Sequence, residues 1–271
     1  MSKQISLKEA VELVGDSDFR LAVGGLTLYR RPMSFTLALL EQHQRMGLPR
    51  ALNLVNFTAG LESDLLVGAG MVNSIRTCYF GLESFGLAPQ FTKAAGNGAI
   101  RIIEETEASL ANGLRASIAG VGFIPSVAWV GTDLLNIRPD VKTVKDPYSG
   151  EELTAFPAIE IDVAVIHALK ADPDGNAQIG GNKGVDVEIA LVAETVIITA
   201  EEIEPALEKA DIIAPVVDAV IHAPNGAWPT SCHPNYPLDG QALLDYLEAE
   251  AAEESQSLIK KWIGELNLPL A

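Results

Sequence analysis

Four short segments, rich in glycine and polar residues, contain the side chains that could do chemistry in this chain. Each lies at or near a strongly apolar run of the kind that forms a buried strand. Small residues at strand exits let other groups approach the backbone closely, so we predict one site built from several loops. The segments are VGGLTLYRRP (23–32), GLESFGLAPQF (81–91), the stretch from Glu107 through GFIPS to GTDLL, and HALKADPDGNAQIGG (167–181).

Carboxylates are the main catalytic candidates in these segments. Glu83 lies in a strand-exit loop, and Glu104, Glu105 and Glu107 crowd the end of the next predicted strand. Crowded carboxylates raise one another's pKa, which is a standard way to make a general base or acid. The alternative for Glu107 is structural: it follows Thr106, a good helix cap, and a negative charge there favours the helix dipole. Spacing alone favours this second interpretation.

The pair Gly24-Gly25 follows a strand and precedes a helix, which is where phosphates often bind. It is not part of a G-x-G-x-x-G fingerprint, and the chain contains no G-x-x-x-x-G-K-[ST] sequence. A plain tight turn is therefore the better interpretation of this pair on its own.

Metal ligation and thiol chemistry find little support in the sequence. The histidines show no i,i+4 pair, the adjacent Cys232 and His233 would diverge, and DPDGN lacks the spacing of a calcium loop. We therefore expect no metal site and expect structural roles for the histidines that end two strands. The four histidines are His43, His167, His222 and His233.

Composition limits the possible function classes. The 271 residues are 48% hydrophobic and 20% charged, which is enough to bury a large core, and the net charge of −17 argues against nucleic-acid binding.

Two widely spaced cysteines, Cys78 and Cys232, give no disulfide framework. The N-terminus lacks an apolar signal region, and no apolar run approaches the ~20 residues of a membrane span. We expect a cytoplasmic protein.

Apolar, β-branched runs alternate with amphipathic helical patterns along the chain. This alternation predicts an α/β fold with an open, mostly parallel sheet and helices on both faces. The composition of 136–156 predicts a surface excursion. The apolar spacing over 241–265 predicts one long final helix with Leu243, Leu247 and Ala251 on one stripe. Predicted strands are 19–23, 51–56, 74–80, 99–103, 161–168, 194–200 and 216–223.

Taken together, the four segments resemble the A (alpha-type) subunit of family I coenzyme A transferases, particularly the glutaconate CoA-transferase branch. The resemblance extends from about Leu7 to Pro229. It implies a single domain over 1–271 with the fold shared by CoA transferases and ribose-5-phosphate isomerase. It also implies assembly with a homologous B subunit that carries the nucleophilic glutamate. The implied substrates are an acyl-CoA and a carboxylic acid, with no permanently bound cofactor.

The resemblance further implies that the A chain shapes the acyl or carboxylate pocket at the subunit interface. Glu83 is then not the nucleophile, because its surroundings match the A-type segment. The residues implied to face the substrate are Gly24, Gly25, Glu83, Ser84, Phe85 and Gly86.

Two alternatives remain at this point. A second branch of the superfamily hydrolyses the carbocyclic ring of steroid-derived CoA thioesters with a base on the A chain, and that base aligns with Glu107. The sequence GLESFG at 81–86 favours the transferase branch. The other alternative, a sugar-phosphate-binding regulatory domain, would need a basic cluster, and the sequence offers only the adjacent pair Arg30-Arg31.

Overall fold

The computed structural model describes residues 2–249 and 252–265. Its strands are β1 Arg20–Val23, β2 Leu52–Ala59, β3 Val72–Phe80, β4 Arg101–Glu104, β5 Phe123–Ser126, β6 Lys142–Lys145, β7 Glu152–Pro157, β8 Val163–Ala171, β9 Ala177–Gln178, β10 Thr195–Ile203 and β11 Ala219–His222. Its helices are α1 Leu7–Val11, α2 Met33–Met46, α3 Leu61–Gly68, α4 Pro89–Gly96, α5 Glu107–Ile118, α6 Leu134–Ile137, α7 Asp186–Val192, α8 Gly240–Glu248 and α9 Ala252–Glu265. No helix within these ranges is both long and apolar enough to span a membrane.

The main sheet confirms the predicted α/β architecture. Its strands run in the order β11-β10-β8-β1-β2-β3-β4, all parallel, and β9 adds an antiparallel pair to β8. Strands β2, β3 and β4 are added in turn on one side of β1, and β8, β10 and β11 are then added on its other side. The strand order therefore reverses between β1 and β8, which is the place where open α/β sheets bind their ligands.

Two hydrophobic cores cover the two faces of this sheet. Because side chains alternate along a strand, Leu21 and Val23 of β1 face one core and Ala22 faces the other. The first core packs against α1, α2, α3, α8 and α9, and the second against α5 and α7. The central strands are buried on both sides, which explains their nearly continuous apolar sequence.

The predicted surface excursion 136–156 is more ordered than the sequence indicated. β6 and β7 pair antiparallel within it, and β5 completes a second sheet in the order β5-β7-β6. Trp129 and Phe156 pack edge to face beneath this sheet, with ring centroids 5.0 Å apart. The strands are short and have few buried positions, so their sequence lacks the apolar run that identified the central strands.

The predicted single helix over 241–265 is wrong, because α8 ends at Glu248 and Ala249 leaves the helical conformation with ψ of 81°. Ala251 lies outside the described residues. Both segments nevertheless pack on the first core, since Trp262 of α9 lies edge to face on Trp228 and contacts Tyr246 of α8. Both helices have an apolar stripe, so the spacing of apolar residues predicted one continuous helix through the break at Ala249.

Helix α4 begins with a cap supplied by another helix. Its own N-cap residue makes no side-chain hydrogen bond, and instead the backbone N–H of Phe91 donates to Asp64 Oδ1 at 2.6 Å. Tyr246 Oη donates to the other oxygen, Asp64 Oδ2, at 2.6 Å. Burial raises the pKa of Asp64 to about 6, against the hydrogen bonds that favour its charged form.

This raised pKa predicts a pH dependence of stability. Between its unfolded pKa near 4 and its folded pKa near 6, Asp64 binds more protons in the native state, so its contribution declines as pH rises through this window. The free energy of unfolding of wild type minus that of Asp64→Asn should fall by roughly 2 kcal/mol from pH 4 to pH 7. Urea unfolding at several pH values measures this, with the exposed Asp16→Asn as control. A difference that stays constant with pH would contradict the prediction.

Candidate active site

The loops that were predicted to build the site emerge at one edge of the sheet. β1, β3 and β4 are parallel and end at Val23, Phe80 and Glu104. The segments that follow them therefore begin at the same carboxyl edge, where ligands of α/β proteins bind. The structure thus places Gly24-Gly25, the 81–86 loop and Glu107 along one edge of the sheet.

The Gly24-Gly25 turn is buried and its amides are already used. Gly24 N–H donates to the Val165 carbonyl at 2.9 Å, and Gly25 N–H donates to Asp186 Oδ1 at 3.0 Å. Gly25 has φ of +86°, and a Cβ there would lie 2.6 Å from the Arg30 carbonyl oxygen. Glycine is therefore required by the turn itself, and neither amide is free to bind a phosphate.

Arg30 and Arg31 are both fully buried beneath this turn. Arg30 donates to Asp186 Oδ2 at 2.6 Å and to the His167 carbonyl at 2.6 Å, while Arg31 forms an ion pair with the buried Glu62. These guanidinium groups are compensated inside the protein, so the adjacent arginines are not a phosphate-binding cluster on the surface.

The 81–86 loop presents its polar groups to solvent. Glu83 and Ser84 are exposed, whereas Phe85 is half-buried against the first core. Gly86 N–H donates to the Glu83 carbonyl, and the Gly86 carbonyl accepts from the Leu82 N–H. Glu83 has φ of +53°, which is uncommon for a residue with a side chain, and such strain clusters at functional sites.

Within the described ranges, the backbone N–H groups of Glu83 and Ser84 have no hydrogen-bond acceptor. They are successive amides in a turn with one residue in the left-handed region, an arrangement that forms a concave site for anions. This pair of free donors was not evident from the sequence, because it depends on the conformation of Glu83.

Glu107 is exposed and is the first residue of α5, directly after the Thr106 cap. The neighbouring Glu105 behaves differently, because its side chain is buried and forms ion pairs with Arg76 and Arg138. Two cations therefore compensate Glu105, and it does not add an uncompensated charge beside Glu107. The sequence spacing could not distinguish these two environments.

Neither cysteine is prepared to act as a nucleophile. Burial, with help from the carboxylates of Glu105 and Glu107, raises the pKa of Cys78 to about 12. Burial beside Glu201 likewise raises the pKa of Cys232 to about 12. Both thiols are therefore protonated at neutral pH, and the thiolate is the reactive form.

A buried network around His167 fixes the loop that follows β11. His167 Nε2 bonds Glu201 Oε1 at 2.7 Å and its Nδ1 bonds Thr199 Oγ1 at 2.9 Å. Glu201 also accepts from the Tyr236 hydroxyl and from the Asn225 N–H. Burial lowers the pKa of His167 and outweighs the opposite effect of Glu201. The expected structural role of His167 is confirmed.

This network also contains a group of side chains with metal-ligand chemistry. The ligand atoms of His167, Glu201 and Cys232 lie within 4.8 Å of one another. Both ring nitrogens and both carboxylate oxygens already have hydrogen-bond partners, and the thiol is protonated. A metal ion would have to displace these bonds, so the residues fit a hydrogen-bond network better than a metal site.

A crevice of about 340 Å³ lies at the point where the strand order reverses. It joins the loop after β1, the end of β8 and the loop that carries His233. The sequence did not single out its lining, because the loops are far apart in the chain. The lining residues are Tyr29, Leu169, Gly180, Gly181, Asn182, His233 and Pro234. Larger cavities, of about 670 and 570 Å³, lie between helices and at the amino ends of β1–β4.

Comparison with known proteins gives the family. The family model described as coenzyme A transferase matches residues 5–222. This chain belongs to the coenzyme A transferase family. The A subunit of the 3-oxoadipate CoA-transferase of Pseudomonas knackmussii is 33% identical over 98% of this chain and 93% of that protein. The A subunit of the glutaconate CoA-transferase of Acidaminococcus fermentans is 31% identical over 98% and 89%. The predicted family, subunit type and enzyme class are confirmed.

Other relatives show what else this family includes. The IpdA subunit of the cholesterol ring-cleaving hydrolase of Rhodococcus jostii is 31% identical over 94% of this chain and 88% of that protein. Among solved structures, a variant of the decarboxylase AibA/AibB has a TM-score of 0.89 at 29% identity, covering 97% of this chain and 100% of that one. The Acidaminococcus glutaconate CoA-transferase has a TM-score of 0.87 at 29% identity, covering 97% and 89%.

Proposed function

We propose that this chain is the A subunit of a heteromeric enzyme that moves coenzyme A from an acyl-CoA to a carboxylic acid. The observation that carries the proposal is the full-length similarity to the A subunits of two CoA transferases. The lack of an activated nucleophile among the described residues of the carboxyl edge also supports the proposal. The thiols there are protonated, His167 is enclosed in its network, and Glu107 has no histidine partner among the described residues.

The nucleophile in this proposal is a glutamate of a homologous B subunit. Its carboxylate attacks the thioester carbonyl of the acyl-CoA, forming an anhydride and releasing CoA as thiolate. The thiolate then attacks the glutamyl carbonyl, releasing the carboxylic acid and leaving a glutamyl-CoA thioester. The second carboxylic acid reverses these steps, so no redox partner and no bound cofactor is needed.

This chain would bind the acyl group and stabilise the developing negative charge. Gly24 and Gly25 form the bottom of the substrate pocket at the carboxyl edge. Phe85 packs against the first core and so fixes the loop that contains Glu83, Ser84 and Gly86. The free amides of Glu83 and Ser84 are suitable donors to an oxyanion, since such donors act best when they are fixed in advance. The crevice at the reversal point is large enough for a small acyl group and offers Asn182 and His233 as polar contacts.

The cytoplasm is the compartment we propose for this enzyme. The two cysteines are free, and their raised pKa values would keep them reduced and unreactive there. The sugar-phosphate alternative loses its main support, because the arginine pair on which it depended is buried in ion pairs.

The first test is transfer activity with and without the B subunit. We expect no CoA transfer between an acyl-CoA and acetate or succinate from the isolated chain. Activity should appear when a B-type subunit of this family is coexpressed, because the nucleophile then becomes available. Full activity of the isolated chain would contradict the proposal.

The variant Glu107→Gln distinguishes transfer from ring-opening hydrolysis. If Glu107 only positions substrate or favours the start of α5, kcat of the assembled enzyme should fall less than tenfold. Loss of the first-turn charge should cost only about 0.3–1 kcal/mol of stability. A general base would instead contribute roughly 10²–10⁴-fold. Steady-state kinetics measures this, with the exposed Glu151→Gln as matched control. A loss of 100-fold or more in kcat with an intact fold would favour the hydrolase assignment.

A further inference from the structure

The 81–86 loop, which contains the two free amides, forms few hydrogen bonds with the rest of the chain. In the described structure the backbone hydrogen bonds of residues 82–86 all stay within the loop. The start of the loop is fixed at the end of β2, because Gly81 N–H donates to the Ala59 carbonyl at 3.2 Å. The direction of the two amides therefore depends on what fixes the other end of the loop.

Asp64 of α3 fixes that other end. Its Oδ1 accepts from the Phe91 N–H at 2.6 Å, and its Oδ2 accepts from the Gln90 N–H at 3.3 Å. Both amides belong to the first turn of α4, whose own N-cap residue makes no side-chain hydrogen bond. The amides of a first helical turn have no partner within the helix, so Asp64 takes the place of a local cap. Both ends of the loop are thus tied to the short segment 59–64.

Helix α8 holds Asp64 from its other side. The Tyr246 hydroxyl donates to Asp64 Oδ2 at 2.6 Å, and burial raises the pKa of Tyr246, so this hydroxyl keeps its proton. The same helix also contacts the loop directly at its first residue. A Cβ on Gly240 would lie 3.5 Å from Phe85 Cζ, so the Phe85 ring lies against the start of α8. Helix α8 therefore supports the loop at two points.

We propose that Asp64 and Tyr246 are positioning residues of the active site. They hold the start of α4, and through α4 they hold the 81–86 loop with its two amides directed at the reacting carbonyl. Both side chains are buried, so neither contacts the substrate. Oxyanion donors act best when they are fixed before the reaction, and a displacement of about 1 Å can cost on the order of 10²-fold in rate. This inference rests on the proposed function in assigning the two amides to an oxyanion.

The charge of Asp64 is consistent with this role. The groups that face its carboxylate are the Tyr246 hydroxyl, the two α4 amides and Glu62, which is itself paired with Arg31. Asp64 is ionised at neutral pH, although its burial and the charge of Glu62 both raise its pKa. Asparagine could accept an α4 N–H without carrying a buried charge. Because a charged acceptor forms stronger hydrogen bonds, the carboxylate holds α4 more firmly at a cost in stability.

The variant Asp64→Asn separates positioning from stability in the assembled enzyme. As pH rises from 5 to 7.5, wild type should lose stability relative to this variant but gain activity relative to it. The ratio of kcat, wild type to variant, should rise from about 1 at pH 5 to roughly three- to tenfold at pH 7.5, because only wild type gains the charged acceptor. The exposed Asp16→Asn should match wild type at every pH. A kcat ratio that stays constant or falls with pH, as the stability does, would overturn the proposal.

The variant Tyr246→Phe removes the hydroxyl and keeps the ring that packs near Trp262. We expect kcat at pH 7.5 to fall roughly three- to tenfold while KM for the acyl-CoA stays within about twofold, because the amides act on charge that develops in the transition state. The matched control is Tyr148→Phe, at a tyrosine that is 98% exposed, and it should behave like wild type. An unchanged kcat of Tyr246→Phe, or an increase in KM alone, would contradict the proposal.

Hydrogen exchange tests the positioning without an assay of activity. Amides of 82–91 should exchange faster in Asp64→Asn and in Tyr246→Phe than in wild type at pH 7.5, whereas amides around Tyr148 should not change. Equal exchange of 82–91 in all three proteins would overturn the proposal. Faster exchange in an assembled complex that has no transfer activity would support the positioning of the loop and refute the proposed function.

Discussion

The ion pair between Arg30 and Asp186 is the interaction on which the carboxyl edge depends. Asp186, at the start of α7, accepts from Arg30 and from the Gly25 amide, and Arg30 also donates to the His167 carbonyl on β8. One buried charge pair thus joins the turn after β1 and the middle of β8 to α7, which packs on the second core. Removing one partner of such a pair typically costs about 3–5 kcal/mol, because the other charge stays buried.

Buried charges along the rest of the carboxyl edge of the sheet are paired in the same way. Arg31 with Glu62, Glu105 with two arginines, and His167 with Glu201 each bring distant segments together through compensated charges. The polar groups that face solvent at this edge include the amides of Glu83 and Ser84 and the carboxylate of Glu107. The buried pairs are not fully satisfied, since Arg30 Nε, Arg31 Nε and Glu62 Oε2 have no hydrogen-bond partner in the described part of the chain.

The sequence predicted those features that depend on local pattern. The seven parallel strands follow from apolar β-branched runs, and the Thr106 cap follows from a helix-start signal. The ion pairs could not be predicted in this way, because Arg30 and Asp186 are 156 residues apart and their pairing depends on the strand order. The same limit applies to Glu104, Glu105 and Glu107, which look alike in sequence and differ in whether the backbone turns each carboxylate inward. Short exposed strands such as β6 lack a pattern that distinguishes them from loops.

The central claim is that this chain shapes the site while its partner supplies the nucleophile. The most direct measurement is to incubate the assembled enzyme with an acyl-CoA, trap the covalent intermediate with borohydride or hydroxylamine, and map the modified peptide by mass spectrometry. We predict a modified glutamate on the B-type chain and an unmodified A chain. A modification at Glu83 or at Glu107 would contradict the account.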